Sequence, residues 1–251
     1  MNRFPLHLVA ILMVSVLVTA CSDDDDDPVQ PEPPTVHEGA SASIGQGEVR
    51  VWEKEAPDGS LLSVGVTFTE DALVDLPNEM AMLDLPLPQV VTTSPFIKVG
   101  FDWNPHGHEP VLYELPHFDV HFYVVSDQEL ATVVPGPDMT PVEPQYVPPD
   151  YMSTVDAVPF MGTHWVDTTS AEFHGSTFDE TFIYGYYDGE LFFLEPMITK
   201  VYFEDGPDEV IDIKQPGAWQ MSGKAFPMQY RISHDAEAEE YTVELISMQV
   251  R

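Results

Sequence analysis

The chain has 251 residues, 43 of them acidic against 9 basic, and a formal net charge of −34. That balance excludes nucleic acid as a partner, because phosphates must be met by Lys and Arg, and it excludes adhesion to a bare anionic membrane for the same reason. Charge of this size keeps a protein soluble at some cost in self-repulsion, and by itself gives only diffuse, nonspecific cation binding.

The N-terminus reads as an export signal. Arg3 supplies a short positive region, and Leu8 to Val18 is apolar apart from Ser15. The run is too short for a transmembrane helix, which needs ~20 residues, and fits the apolar region of a signal peptide. It leads into Val18-Thr19-Ala20-Cys21, which resembles the bacterial lipobox. The resemblance implies cleavage after residue 20, lipidation of Cys21 and attachment to the membrane through that N-terminal lipid. Several acyl chains anchor firmly, each buried methylene being worth ~0.8 kcal/mol. Ser22 after the cysteine resembles lipoproteins sorted to an outer membrane. Cys21 is the sole cysteine, so the mature body is expected to have no disulfide, thiolate nucleophile or Cys-type zinc site.

Residues 21–40 read as a tether. Asp23 to Asp27 repel one another, and the Pro-rich Pro28 to Pro34 adds stiffness to the chain beyond them. Residues 41–251 read as one domain, within the size that a β fold reaches. Glu48 to Trp52 and Leu62 to Phe68 alternate apolar and polar residues around the turn signal Pro57-Asp58-Gly59, a hairpin pattern. Asp71 to Met82 has room for a short helix interrupted by Pro77, and Ile97 to Trp103 is a further strand. The aromatic-rich strand His117 to Val125 runs into Ser126-Asp127-Gln128-Glu129, a capping box that opens a short helix. Pro135 to Pro149 holds six prolines without periodicity and reads as an ordered excursion or a lid. Thr181 to Tyr187 and Glu190 to Leu194 flank the tight turn Asp188-Gly189. Met197 to Phe203, Val210 to Ile213, Lys224 to Ile232 and Tyr241 to Met248 continue the strand series. The fold class is therefore mainly β, an antiparallel β-sandwich or barrel with one or two short helices.

No phosphate loop, nucleophile elbow or His-Glu-x-x-His zinc motif is present. Histidines cluster instead: His106, His108, His117 and His121 lie close together, and His164 comes later, in Met161-Gly162-Thr163-His164-Trp165. On a strand, His117, Asp119, His121 and Tyr123 share one face, and Phe118, Val120 and Phe122 share the other. A rise of ~3.3 Å per residue separates His117 from His121 by ~13 Å at Cα, too far to converge easily on one ion, whereas Asp119 pairs readily with either. His106-Gly107-His108 offers another close pair. Glu195 interrupts an apolar run, where a carboxylate is expensive unless paired or ligated; a place at the sheet rim is the alternative.

Asp102-Trp103-Asn104-Pro105, Pro116 to Tyr123, Met161 to Trp165 and Tyr184 to Met197 together resemble a family of uncharacterised exported bacterial proteins, some linked to sigma-E/anti-sigma-E regulation, over residues 102–202. The resemblance implies a mostly β domain that forms homo-oligomers, and it brings no reaction or catalytic residues.

Three functions fit these residues. The first is a lipid-anchored envelope protein binding a transition metal (zinc or copper) or a small ligand through His117, Asp119, His121 and His164, with His108 and Glu195 as further candidates. The second is a structural or oligomeric envelope-stress protein without a metal, its histidines only hydrogen-bonded or solvated. The third is a metal-dependent hydrolase or lyase with Glu195 as general base. Substrate, metal identity and subunit number are not encoded in any motif. The anchor is tested directly: Cys21→Ser is expected to move the protein from the membrane fraction to the soluble fraction and to block lipoprotein-type processing, and a variant processed and membrane-bound like wild type overturns that reading.

Overall fold

Alternating apolar residues and turn residues build an almost wholly antiparallel protein. A computed structural model describes residues 32–251; the segment read as a signal peptide, Cys21 and most of the acidic tether lie outside the described residues. The elements are β1 (Thr35–Ile44), β2 (Gly47–Glu55), β3 (Leu61–Thr69), β4 (Ala81–Pro86), β5 (Lys98–Asn104), β6 (His117–Tyr123), α1 (Asp127–Leu130), β7 (Gly136–Pro137), β8 (Tyr151–Val158), β9 (Gly162–Asp167), β10 (Glu180–Tyr187), β11 (Glu190–Thr199), α2 (Lys200–Glu204), β12 (Asp208–Asp212), β13 (Ala225–Phe226), β14 (Gln229–Asp235), β15 (Glu240–Ile246) and β16 (Gln249–Val250). One sheet has the order β1-β2-β3-β15-β14-β12, the other β4-β5-β6-β11-β10-β9-β8-β7, and β13 pairs with β16.

The two large sheets face each other as a sandwich. Phe68 of β3 meets Phe101 of β5 with ring centroids 5.2 Å apart, and Phe182 of β10 meets Tyr230 of β14 at 5.1 Å. Val49, Val51, Val64, Val66, Val243 and Ile232 on one sheet, and Val99, Phe118, Val120, Phe122, Leu194 and Ile198 on the other, are fully excluded from water. Each such side chain contributes ~1.5–3 kcal/mol of apolar burial. The alternation that points to strands is thus the alternation that fills the core.

Several expectations change in detail. β1 begins at Thr35 and takes in residues assigned to the tether: Thr35, Val36 and His37 pair with Glu55, Lys54 and Glu53 of β2, and backbone pairing does not need an apolar side chain at each position. Between Asp71 and Met82 the helical content is a single 3-10 turn, Glu70–Leu73, and the edge strand β4 starts at Ala81. Met197 to Phe203 does not continue as one strand. β11 stops at Thr199, whose hydroxyl accepts the Tyr202 N–H and caps α2. The capping box at Ser126 and Glu129 forms as expected. The proline-rich stretch is tied to the β10–β11 turn through Thr140–Asp188 and Asp138–Asp188 bonds. Among the described residues no helix is long and apolar enough to cross a membrane.

One core-facing residue breaks the pattern. Glu53 on β2 is fully buried, and neither of its carboxylate oxygens has a hydrogen-bond partner. Burial pushes its pKa up, outweighing the opposing influence of the nearby Ser94 hydroxyl and Val91 backbone, neither of which reaches it in hydrogen-bond geometry. A carboxyl raised in the folded state stabilises the protein at low pH and loses that contribution as pH rises through its folded pKa. Glu53→Gln is therefore expected to raise Tm at pH 8, by roughly 2–4 °C for each ~1 kcal/mol recovered in a domain of this size, with the gain vanishing under acidic conditions. Equal melting of the two proteins at pH 8 would contradict this.

Candidate functional site

The site lies on the face of the eight-stranded sheet turned away from the core. Register assembles it. Asn104, Asp102 and Gly100 of β5 pair with His117, Asp119 and His121 of β6. Across the other edge of β6, Phe193 pairs with Tyr123, and Met197 with Asp119, which brings Glu195 level with His121. β10 then places Gly185 between Phe193 and His164 of β9. β6 is buried at every residue, so a solvated His/Asp face is excluded. Glu195 sits in the middle of the ten-residue β11 and is fully buried, not at a rim.

Six candidates from the sequence fall into two groups of three. In the first, His121, His164 and Glu195 each offer a ligand atom, all within 4.8 Å of one another. Glu195 divides its two oxygens: Oε1 is 3.4 Å from His121 Nε2 and Oε2 is 3.5 Å from His164 Nε2. His121 Nδ1 in turn faces Asp102 Oδ2 at 3.3 Å. In the second group, His108, His117 and Asp119 meet the same limit. Asp119 Oδ1 is 3.0 Å from His117 Nε2, and Oδ2 is 3.5 Å from His108 Nε2 while accepting the Asn104 amide at 2.8 Å. His106 joins neither group.

Aromatic rings wall the groups. Tyr123 stacks on His121 at 5.4 Å, and Phe193 touches the rings of both His121 and His164, at 4.8 and 5.1 Å. Phe178 closes over His117 at 5.5 Å. Two glycines make this packing fit. A Cβ on Gly185 would lie 2.1 Å from the Phe193 ring, so only glycine lets that ring reach between the strands. Gly107, at φ +62°, lets the β5–β6 loop fold back on Tyr113 and carry His108 over the sheet, where a Cβ would meet the Tyr113 carbonyl at 2.0 Å.

The electrostatics follow from burial. Glu195 is pushed up to about 8 by desolvation, partly countered by His121. Burial also opposes charge on His121, but Glu195 and Asp102 outweigh it and raise the ring to about 9. His164 is driven down to about 3 by burial and by His121, so its lone pair is free. Burial opposes charge on His108 too, yet Asp119 lifts it to about 9. Asp119 is held well below the usual carboxylate range, desolvation being outweighed by His108 and His117. Half of the buried side-chain N and O atoms without a hydrogen-bond partner, among the described residues, belong to His117, Asp119, His121 and Glu195.

The comparisons with known proteins are sparse. Over residues 57–103 the chain is similar to the TTHB210-like family, described as hypothetical protein TTHB210. That stretch meets the 102–202 block only at Asp102 and Trp103, and its description carries neither export nor regulation. No curated protein and no solved structure matches.

Asp102, Asn104, Gly185 and Phe193 are site residues that sequence reasoning misses. Asp102 and Asn104 alternate with Phe101 and Trp103, the same period-two signal that marks β6, so a local signal for them exists. The roles of Gly185 and Phe193 depend on pairing between three strands and leave no local trace. Gly185→Ala is expected to force the Phe193 ring aside and destabilise the protein by about 1–3 kcal/mol, the usual cost of overpacking, read as a lower Tm; an unchanged Tm would refute the close approach.

Proposed function

We propose that the protein is an exported, lipid-anchored envelope protein that binds a divalent transition metal at His121, His164 and Glu195. One observation carries the metal reading: three ligand atoms, those of His121 and Glu195 buried and that of His164 partly so, converge within 4.8 Å, yet Glu195 and the facing nitrogen of His121 make no hydrogen bond. Leaving one such group unsatisfied costs ~1–3 kcal/mol, and more when it is charged. Fixed hydrogen bonds, the purely structural alternative, leave those atoms misaligned, whereas an ion satisfies all three at once.

The donor set suits zinc, and copper by the same imidazole chemistry. Asp102 behind His121 supports this, because ligating histidines commonly offer their second ring nitrogen to a carboxylate that orients the ring. The anchoring half of the proposal rests on the lipobox reading of Val18 to Cys21, and homo-oligomer formation rests on the family resemblance alone.

A second reading, a metal-dependent hydrolase or lyase, is favoured by one feature. His164 retains side-chain exposure of 15% where His121 and Glu195 have 0–1%, so solvent approaches the ligand set from the His164 side. Two imidazoles and one carboxylate leave room for a water on a tetrahedral ion, as in catalytic zinc sites.

Purified protein incubated with zinc and then desalted is expected to retain the metal. His164→Ala and His121→Ala are each expected to weaken zinc binding at least tenfold. Affinity is expected to fall progressively as pH drops below about 9, because the ligating imidazole of His121 must be neutral and protons then compete with the ion. Wild-type protein that stays metal-free after incubation with zinc, copper, nickel, iron or manganese overturns the proposal.

A further inference from the structure

We propose that His108, His117 and Asp119 form a second metal site beside the first, so that the sheet face carries a paired, two-ion centre. The inference rests on the reading that imidazole–carboxylate triads of this sheet bind metal, and extends it from one ion to two.

A single ion cannot serve all six residues. His117 and His121 lie on one strand with three residues between them, ~13 Å apart at Cα. Each triad nevertheless closes within 4.8 Å on its own. Asp119 and His121, one from each triad, are a strand repeat of ~6.6 Å apart, so the two ions would be neighbours without sharing a histidine.

Nitrogen geometry in the second triad is that of a ligand set. The Leu115 carbonyl lies 2.6 Å from His117 Nδ1. The Glu109 carbonyl lies 2.9 Å from His108 Nδ1. A carbonyl only accepts, so both rings donate from Nδ1. Both Nε2 atoms then turn towards Asp119, at 3.0 and 3.5 Å. Histidines that hold metals are oriented in this way, with the non-ligating N–H spent on a carbonyl or carboxylate. His117 Nε2 and Asp119 Oδ1 are buried and make no hydrogen bond. The Asn104 amide holds the other oxygen of Asp119, which fixes the plane of the carboxylate without using Oδ1.

Asp102, Asp119 and Glu195 are three buried carboxylates on one sheet face, 4%, 6% and 0% exposed, so each triad has a carboxylate of its own. Side-chain exposure of His108 is 35%, the highest in the second triad, so the second ion would enter past the β5–β6 loop.

The test uses full-length protein loaded with zinc in excess magnesium, which occupies the diffuse acidic surface, and reads the result by native mass spectrometry and elemental analysis. Two zinc ions per chain are expected. His108→Gln, at a partly exposed position, and the near-isosteric Asp119→Asn are each expected to reduce the count to one, while His164→Ala independently removes the other. One ion in the wild-type protein, or two retained in folded His108→Gln and Asp119→Asn, overturns the second site and leaves the first standing. No zinc in the wild-type protein overturns both. Should either variant lose its near-UV circular dichroism, the wild-type count is decided by X-ray absorption: two N/O-ligated zinc environments with imidazole scattering support the pair, and zinc ligated by carboxylate and water alone for the second ion refutes it.

Discussion

Strand β6 is buried on both faces, and the rest of the structure is arranged around that constraint. A strand alternates its side chains strictly, so Phe118, Val120 and Phe122 cannot enter the core without sending His117, Asp119 and His121 to the opposite side. Were that side solvent, the polar residues would need no partners. Instead His108 of the β5–β6 loop and Phe178 close over it at His117, and each imidazole and carboxylate must find compensation inside the protein. Asp102, Asn104 and Glu195, delivered by the two neighbouring strands, are that compensation.

The compensation is unequal, and the inequality has chemical content. Asn104 gives Asp119 a well-formed bond at 2.8 Å, and the backbone carbonyls of Leu115 and Glu109 engage His117 and His108 on the outer ring nitrogens. The inner atoms face one another at 3.0 to 3.5 Å without alignment. Buried ion pairs of good geometry roughly balance their own desolvation, whereas poorly aligned ones do not. In the second triad, where the outer ring nitrogens are bonded and the inner atoms of His117 and Asp119 are not, the arrangement suits something placed between them. Burial raises the pKa of Glu195, and the neighbouring carboxylates raise those of His121 and His108, so cation binding at these groups is expected to release protons.

The acidic surface and the acidic site are separate matters. The net charge of −34 is carried mostly by exposed groups in water, where screening leaves each interaction small. Three carboxylates on the covered face act at low dielectric, where a unit charge weighs far more. Composition points to a protein that repels nucleic acid and attracts cations diffusely; the specific centre draws on a handful of those residues.

The sequence by itself determined the fold class, the strand character of most segments, the capping box at Ser126 and the two-faced pattern of β6, because each is a local signal with a period of two or a fixed short spacing. It also marked all six residues of the two triads by their chemical type. What it could not determine was their division into groups. Nothing in the spacing of Glu195 or His164 says that one pairs with His121 and not with His117; that choice is made by the register of β6 on β11 and of β10 on β9, and by Gly185, which admits the Phe193 ring between them. Asp102 and Asn104 became partners only when β5 lay beside β6. Register is a long-range property, set by how whole sheets fill one core, and a one-residue slip would turn every one of these side chains to the other face.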